Sequence, residues 1–227
     1  MTFRFSNPVI RLLRRDQSAV IVIEFALVLP IFMLLGFTSI ELTNLAVTNM
    51  RVSQISMTVA DNLSRAMQGV GLEQPQLREV DINDSLLGAR IQGGDTLRIL
   101  EGGRVIVSSL QRNAAGRQTI AWQRCAGTLQ TNSLYGAQGA TQPSSGTGGF
   151  QGMGAGATRV QAEPNSAVIF AEVAYRYEPL VGEWIFGTPM IRREAAFYVR
   201  DDRDLSRLHN PNPAANTSWC HEFDTTF

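Results

Sequence analysis

Few side chains in this sequence are equipped for bond-making chemistry, and their spacing restricts what they could do. All twenty basic residues are Arg, so no lysine exists for a Schiff base or a P-loop. The two histidines, His209 and His221, both lie near the C-terminus, and the two cysteines are Cys125 and Cys220. Cys220, His221 and His209 form a conceivable metal set, but three ligands without paired spacing on a Pro/Asn-rich tail match no established zinc pattern. Cys125 and Cys220 instead form an even pair that can bridge if this part of the chain lies in an oxidising compartment. Gly152-Met153-Gly154-Ala155-Gly156-Ala157 matches the letters of a dinucleotide fingerprint, yet no strand leads into it and no helix follows. Asp201-Asp202-Arg203-Asp204 lacks EF-hand spacing and reads as a solvated charged turn. Twenty acids balance the twenty arginines, which argues against a broad cationic surface for nucleic acid. The expectation is a protein without catalytic activity, cofactor, metal or nucleic-acid partner.

The acid most out of place is Glu24, the single charged residue in the 22-residue run Ala19 to Ile40. At 1.5 Å per residue such a helix is about 33 Å long, enough for a hydrocarbon core of about 30 Å. Residues 1–18 carry Arg4, Arg11, Arg14 and Arg15 against Asp16, and the next basic residue is Arg51. The neutral total therefore hides a +3 leader and a −3 remainder. By the positive-inside rule the N-terminus is cytoplasmic and the rest of the chain lies across the membrane. A conventional signal peptide has an apolar core of about 7–15 residues and a small-x-small cleavage site; this run is longer and no such site closes it. An ionisable group in a membrane helix costs about 2.5–3.5 kcal/mol at the centre, so Glu24 either meets a partner or reaches the headgroups from its place near the helix end. Pro30 removes one backbone hydrogen bond and is expected to kink the span.

Helical periodicity continues beyond the span. Leu42, Leu45, Val52, Ile55, Val59, Leu63 and Ala66 recur at helical spacing with polar residues mostly on other faces, which predicts one helix over about 19–67 whose outer half packs on its own domain. Gly69, Gly71 and Pro75 supply the stop. A short stretch over 76–89, readable either as irregular chain or as a second small helix, is followed by strand-like runs at 96–100, 104–110, 118–125, 166–178 and 183–200, separated by hairpin signals at Gly102-Gly103 and at 113–116. In the fourth run Ala171, Val173, Tyr175 and Tyr177 alternate with Glu172, Ala174, Arg176 and Glu178. The fold class is α+β: a long N-terminal transmembrane and amphipathic helix packed on a four- to five-stranded antiparallel sheet. Residues 127–157, rich in Gly, Ser, Thr and Gln, are expected to form a mobile loop.

Arg14-Arg15, a short polar spacer and Val22-Ile23-Glu24-Phe25-Ala26-Leu27-Val28-Leu29-Pro30 together resemble the N-terminal signature of the TadE/TadG-like pseudopilins, minor pilin-like components of tight-adherence (Flp) systems. The likeness is detailed over about residues 11–50 and architectural beyond, where the outline is that of a type IV pilin-like head. It implies a cut by a prepilin peptidase between Ala19 and Val20, with Glu24 and Phe25 as the fifth and sixth residues of the mature chain. The residue before the cut is usually Gly in that family and here is Ala19. The new Val20 amine could then pair with Glu24 of a neighbouring subunit, a buried ion pair that sets register whatever its net stabilisation. The implied organisation is a leader at 1–19, a transmembrane half-helix at 20–41, an amphipathic half at 42–68, and a periplasmic or extracellular head at 69–227 joined by a Cys125–Cys220 bridge. The implied partners are other pilin subunits, an inner-membrane assembly platform and the peptidase, in a pilus for adhesion or secretion. The competing reading is an uncleaved, membrane-anchored periplasmic binding or accessory module.

Overall fold

A computed structural model describes residues 18–66, 74–140, 150–200 and 202–227. Residues 1–17 of the expected leader, the Gly69 and Gly71 stop signals, residues 141–149 of the glycine-rich stretch and Asp201 lie outside the described residues.

Helix α1, Ser18–Arg65, is continuous through Pro30 and 48 residues long, about 72 Å at 1.5 Å per residue. Its two halves meet different surroundings. Nearly every large apolar side chain from Val20 to Ile40 is exposed, Phe32 at 67%. Val52, Ile55, Val59 and Leu63 are buried, with Leu45 and Ala66 packed at the margin of the same core. Leu42, expected on that stripe, is exposed. The helix ends where Arg203 donates from Nη1 to Leu63 O at 2.9 Å and from Nη2 to Ser64 O. A guanidinium at a helix C-terminus satisfies orphan carbonyls and opposes the negative dipole end. Arg203 is accordingly buried, and the charged turn expected to be solvated instead turns this side chain inward because α1 ends beneath it.

Strand β1, Gln76–Arg78, leads into α2, Glu79–Leu97. The Asp81 carboxylate accepts the Arg78 backbone N–H at 2.9 Å, satisfying one of the donors at the helix start. Gly94 breaks the helical backbone and Arg98 takes a left-handed conformation, with its N–H on Gly94 O. The strand expected at 96–100 is therefore absent: Leu97 closes the helix, and Ile99 and Leu100 are buried in a turn before Gly103.

The main sheet is antiparallel, in the order β3, β2, β4, β5, with β2 at Gly103–Arg112, β3 at Gln118–Ala126, β4 at Val168–Arg176 and β5 at Met190–Tyr198. The expected run 183–200 divides: Glu183–Phe186 forms a one-turn helix, α3, flanked by Gly182 and Gly187, and pairing begins only at Met190. Strand β6, Asp204–His209, pairs in parallel with β1 as a separate two-stranded ribbon. The expected α+β arrangement, a long helix against a four-stranded antiparallel sheet, is present.

Each face of the sheet carries its own core. Val105, Val107, Ile169, Ala171, Val173 and Ile191 pack against α1 and α2. On the opposite face Leu110, Ile120, Val168 and Phe170 pack against Phe150, Met153 and Ala162. The described parts of 127–157 are thus a shaped cover, contrary to the expected mobile loop. Apolar residues spaced among the glycines supply anchors, and the glycines supply turns. Gly152, at φ 111°, shows why: a Cβ there would lie 2.1 Å from Val160 O, and Met153 and Val160 exchange backbone hydrogen bonds at 3.1 and 2.7 Å. The dinucleotide-like glycines build a tight reversal of the chain.

Candidate functional site

The first two turns of α1 hold Ala19, Val20, Glu24 and Phe25. Residues 20 and 24 are four apart and share a helix face. Val20 and Phe25 are 52% and 64% exposed, and Glu24 is exposed with them. A lone carboxylate on an apolar, outward-facing helix is chemically suited to one task, pairing with a cation or hydrogen-bond donor brought by another molecule or by the bilayer surface. Val20–Arg65 contains a stretch long and apolar enough to cross a membrane, none of it buried in the protein. This single N-terminal apolar helix fits a membrane anchor.

Among the described residues, the first buried one along α1 is Glu41, only 2% exposed. Its Oε1 accepts the Tyr177 hydroxyl, while Oε2 accepts Leu180 N–H at 2.9 Å and Val181 N–H at 3.0 Å. Asn44 Nδ2 donates to Tyr177 Oη at 2.8 Å. Burial, and then the hydrogen bond to the Glu41 carboxylate, push the Tyr177 hydroxyl up to about 12. Together they lock the end of the exposed half-helix to the loop between β4 and β5. Sequence reading missed Glu41 because an acid directly after an apolar run looks like an ordinary polar boundary.

The second face of the sheet gathers further polar groups. Cys125 and Cys220 are joined, and the tail runs along β3, with Cys125 N–H on Ser218 O at 2.9 Å and Gly127 N–H on Asp224 O at 2.6 Å. Bonds from Gly139 N–H and to Ala140 O cover the same strand further along, so an edge open to unwanted pairing is closed. Cys220 is thereby removed as a metal ligand. His209 pairs instead with Asp204 at 2.8 Å, and Ser206 with His209 holds that carboxyl down to about 2. Arg104, fully buried, donates to Gly127 O and to Cys220 O at 3.0 and 2.7 Å and lies 4.0 Å from the Phe223 ring centre. Burial lowers its pKa from the ordinary guanidinium value. A groove of about 800 Å³ beside the bridge is lined by Asn132, Ser133, Gln138, Trp219 and His221 among others.

Two buried acids complete this inventory. Glu79 holds Arg124 through Nε at 2.9 Å and Nη2 at 2.5 Å, with the guanidinium over Trp219. Glu172, on β4 beside Glu194 of β5, accepts Ser133 Oγ and Leu134 N–H. Burial pushes its carboxyl up to about 7, against those two bonds and Arg192. Both acids fasten the head internally. None of these groups bonds to Glu24 or to the other residues expected at the cut.

Comparison with curated proteins and with solved structures yielded no match. Residues 19–61 match the family model described as TadE-like protein. That interval lies wholly inside α1 and includes Glu24, Phe25, Glu41 and the buried stripe from Val52 to Val59. Over residues 19–61, and not beyond them, the chain is thus similar to the TadE-like proteins.

Proposed function

We propose that this chain is a non-enzymatic minor pilin or pseudopilin of a Tad (Flp) pilus, held in the bacterial inner membrane with its N-terminus cytoplasmic and its head on the periplasmic side. A prepilin peptidase cuts between Ala19 and Val20. The new amine of Val20 and the Glu24 carboxylate of an adjacent subunit then set the stagger as helices enter the bundle, where a buried ion pair serves register more than stability. Its partners are other pilin subunits and the inner-membrane assembly platform, and the pilus serves adhesion or secretion.

The observation that carries this reading is the division of α1 within the family-matched interval: an exposed apolar half with one acid, continuous with a half that is built into a disulfide-linked head. Mass spectrometry of the mature N-terminus from membrane fractions is expected to find Val20. Glu24→Ala is expected to leave membrane insertion intact while removing the protein from the sheared pilus fraction. An intact leader, with wild type and Glu24→Ala alike absent from the sheared fraction, would instead fit an uncleaved, anchored accessory module.

A further inference from the structure

We propose that the loop between β4 and β5, from Leu180 to Phe186, is a membrane-interface element that seats the Trp184 indole among the lipid headgroups of the leaflet on the head side. The proposal rests on the reading of α1 as a bilayer span and adds to it a second, independent contact with lipid.

Two geometric observations place the loop at the membrane boundary. The exposed run of α1 first meets a buried residue after Ile40, at Glu41, which is buried by this loop through the Leu180 and Val181 amides that grip its carboxylate, and Leu42 just beyond is again exposed. Separately, β5 runs alongside α1 in the same direction, since Arg193 bonds Asn49 at 2.6 Å and Arg200 approaches Asp61 at 3.9 Å. Met190, where β5 begins, is three residues before Arg193, about 10 Å nearer the membrane at strand rise, which corresponds to about seven helical residues before Asn49. That level is residue 42, so the loop preceding Met190 lies at or below the point where the span emerges.

The side chains at that level suit lipid. Trp184 is 85% exposed, the highest value among the large apolar side chains of the described residues, and Leu180 is 68% exposed. Trp is enriched at bilayer interfaces because its ring body is apolar and its N–H can bond to headgroups and water. The loop presents it on a rigid frame. Gly182, at φ 128°, folds the chain so that a Cβ there would stand 3.0 Å from Trp184 Nε1, and Glu41 fixes the loop's other side. An exposed aromatic at the level where a membrane helix emerges has lipid as its matching partner; contact with a second copy is the competing outcome.

The test uses the full chain in phosphatidylethanolamine/phosphatidylglycerol vesicles carrying spin-labelled lipids that quench tryptophan at known depths. The headgroup-level quencher is expected to reduce wild-type emission, and Trp184→Phe to lower that quenching at least threefold, because Trp122 is buried and Trp219 lies by the disulfide. Equal quenching of wild type and Trp184→Phe would overturn the proposal. So would Trp184 quenching that vanishes as protein density in the membrane rises, which would assign the loop to contact between copies. Phe32→Trp in the Trp184→Phe background reports the span itself. Deep quenching there without shallow quenching of Trp184 defeats the loop proposal alone; loss of both defeats the span reading as well. Glu41→Ala, with head folding checked by circular dichroism, is expected to weaken shallow quenching of Trp184.

Discussion

Glu172 shows how a residue's surroundings can invert its apparent role. Alternation along β4 assigns it to the polar side of the strand, and the assignment of sides is correct: Ala171 and Val173 face the helices and Glu172 faces away. What alternation cannot register is that the second face is also covered, by a segment distant in sequence. Its position was legible and its burial was not. The consequence is a proton. Between pH 4.5 and about 7 the folded protein holds a proton on Glu172 that the unfolded chain has already released. Stability should therefore fall as pH rises through this window, by up to about 3 kcal/mol, and level off above it. Urea melts across that range should show the slope, and Glu172→Gln should flatten it. Glu24, by contrast, stands out in the sequence itself, because a single charge in an apolar run calls for a partner or for a place at the headgroups.

At the scale of elements, long periodic patterns were readable and short irregular ones were not. The predicted helix over about 19–67 matches α1 within two residues at either end, since the pattern repeats many times. The strand expected at 96–100 failed because the positive φ of Gly94 and Arg98 turns the chain where an extended run would have to continue, and burial in a turn satisfies the same apolar side chains. β1 and β6 went unseen because three and six residues carry little periodic signal. The glycine-rich segment is the instructive case. Composition correctly identifies its turns but averages away Phe150 and Met153, whose burial gives it shape. Met153 is fully buried, so Met153→Ala should cost about 2–5 kcal/mol, the range for truncating a core side chain. Chemical denaturation would detect this readily; a mobile loop would show almost no change.

For the whole molecule, the covalent link and the helix dominate. The Cys125–Cys220 bridge closes a loop spanning 95 residues in sequence, for which chain entropy lost by the unfolded state amounts to about 4–5 kcal/mol. Reduction should shift the unfolding midpoint to lower denaturant, and the double variant Cys125→Ser/Cys220→Ser should behave as the reduced protein does. The tail should become the first segment cut by protease, although Arg104 and the backbone bonds to β3 still hold it. The layered architecture was legible because one long helix needs one sheet to cover its apolar stripe. The cover on the second face was not, because irregular chain leaves no periodic trace.

The parallel course of α1 and β5 also has a mechanical meaning. Because the two run side by side from Asn49 to Asp61, with Arg203 closing the far end of the helix, a pull on the N-terminus along the axis does not peel contacts one after another. It loads them together in shear, so force entering at one end of the rod is spread over the length of the head before any single contact yields.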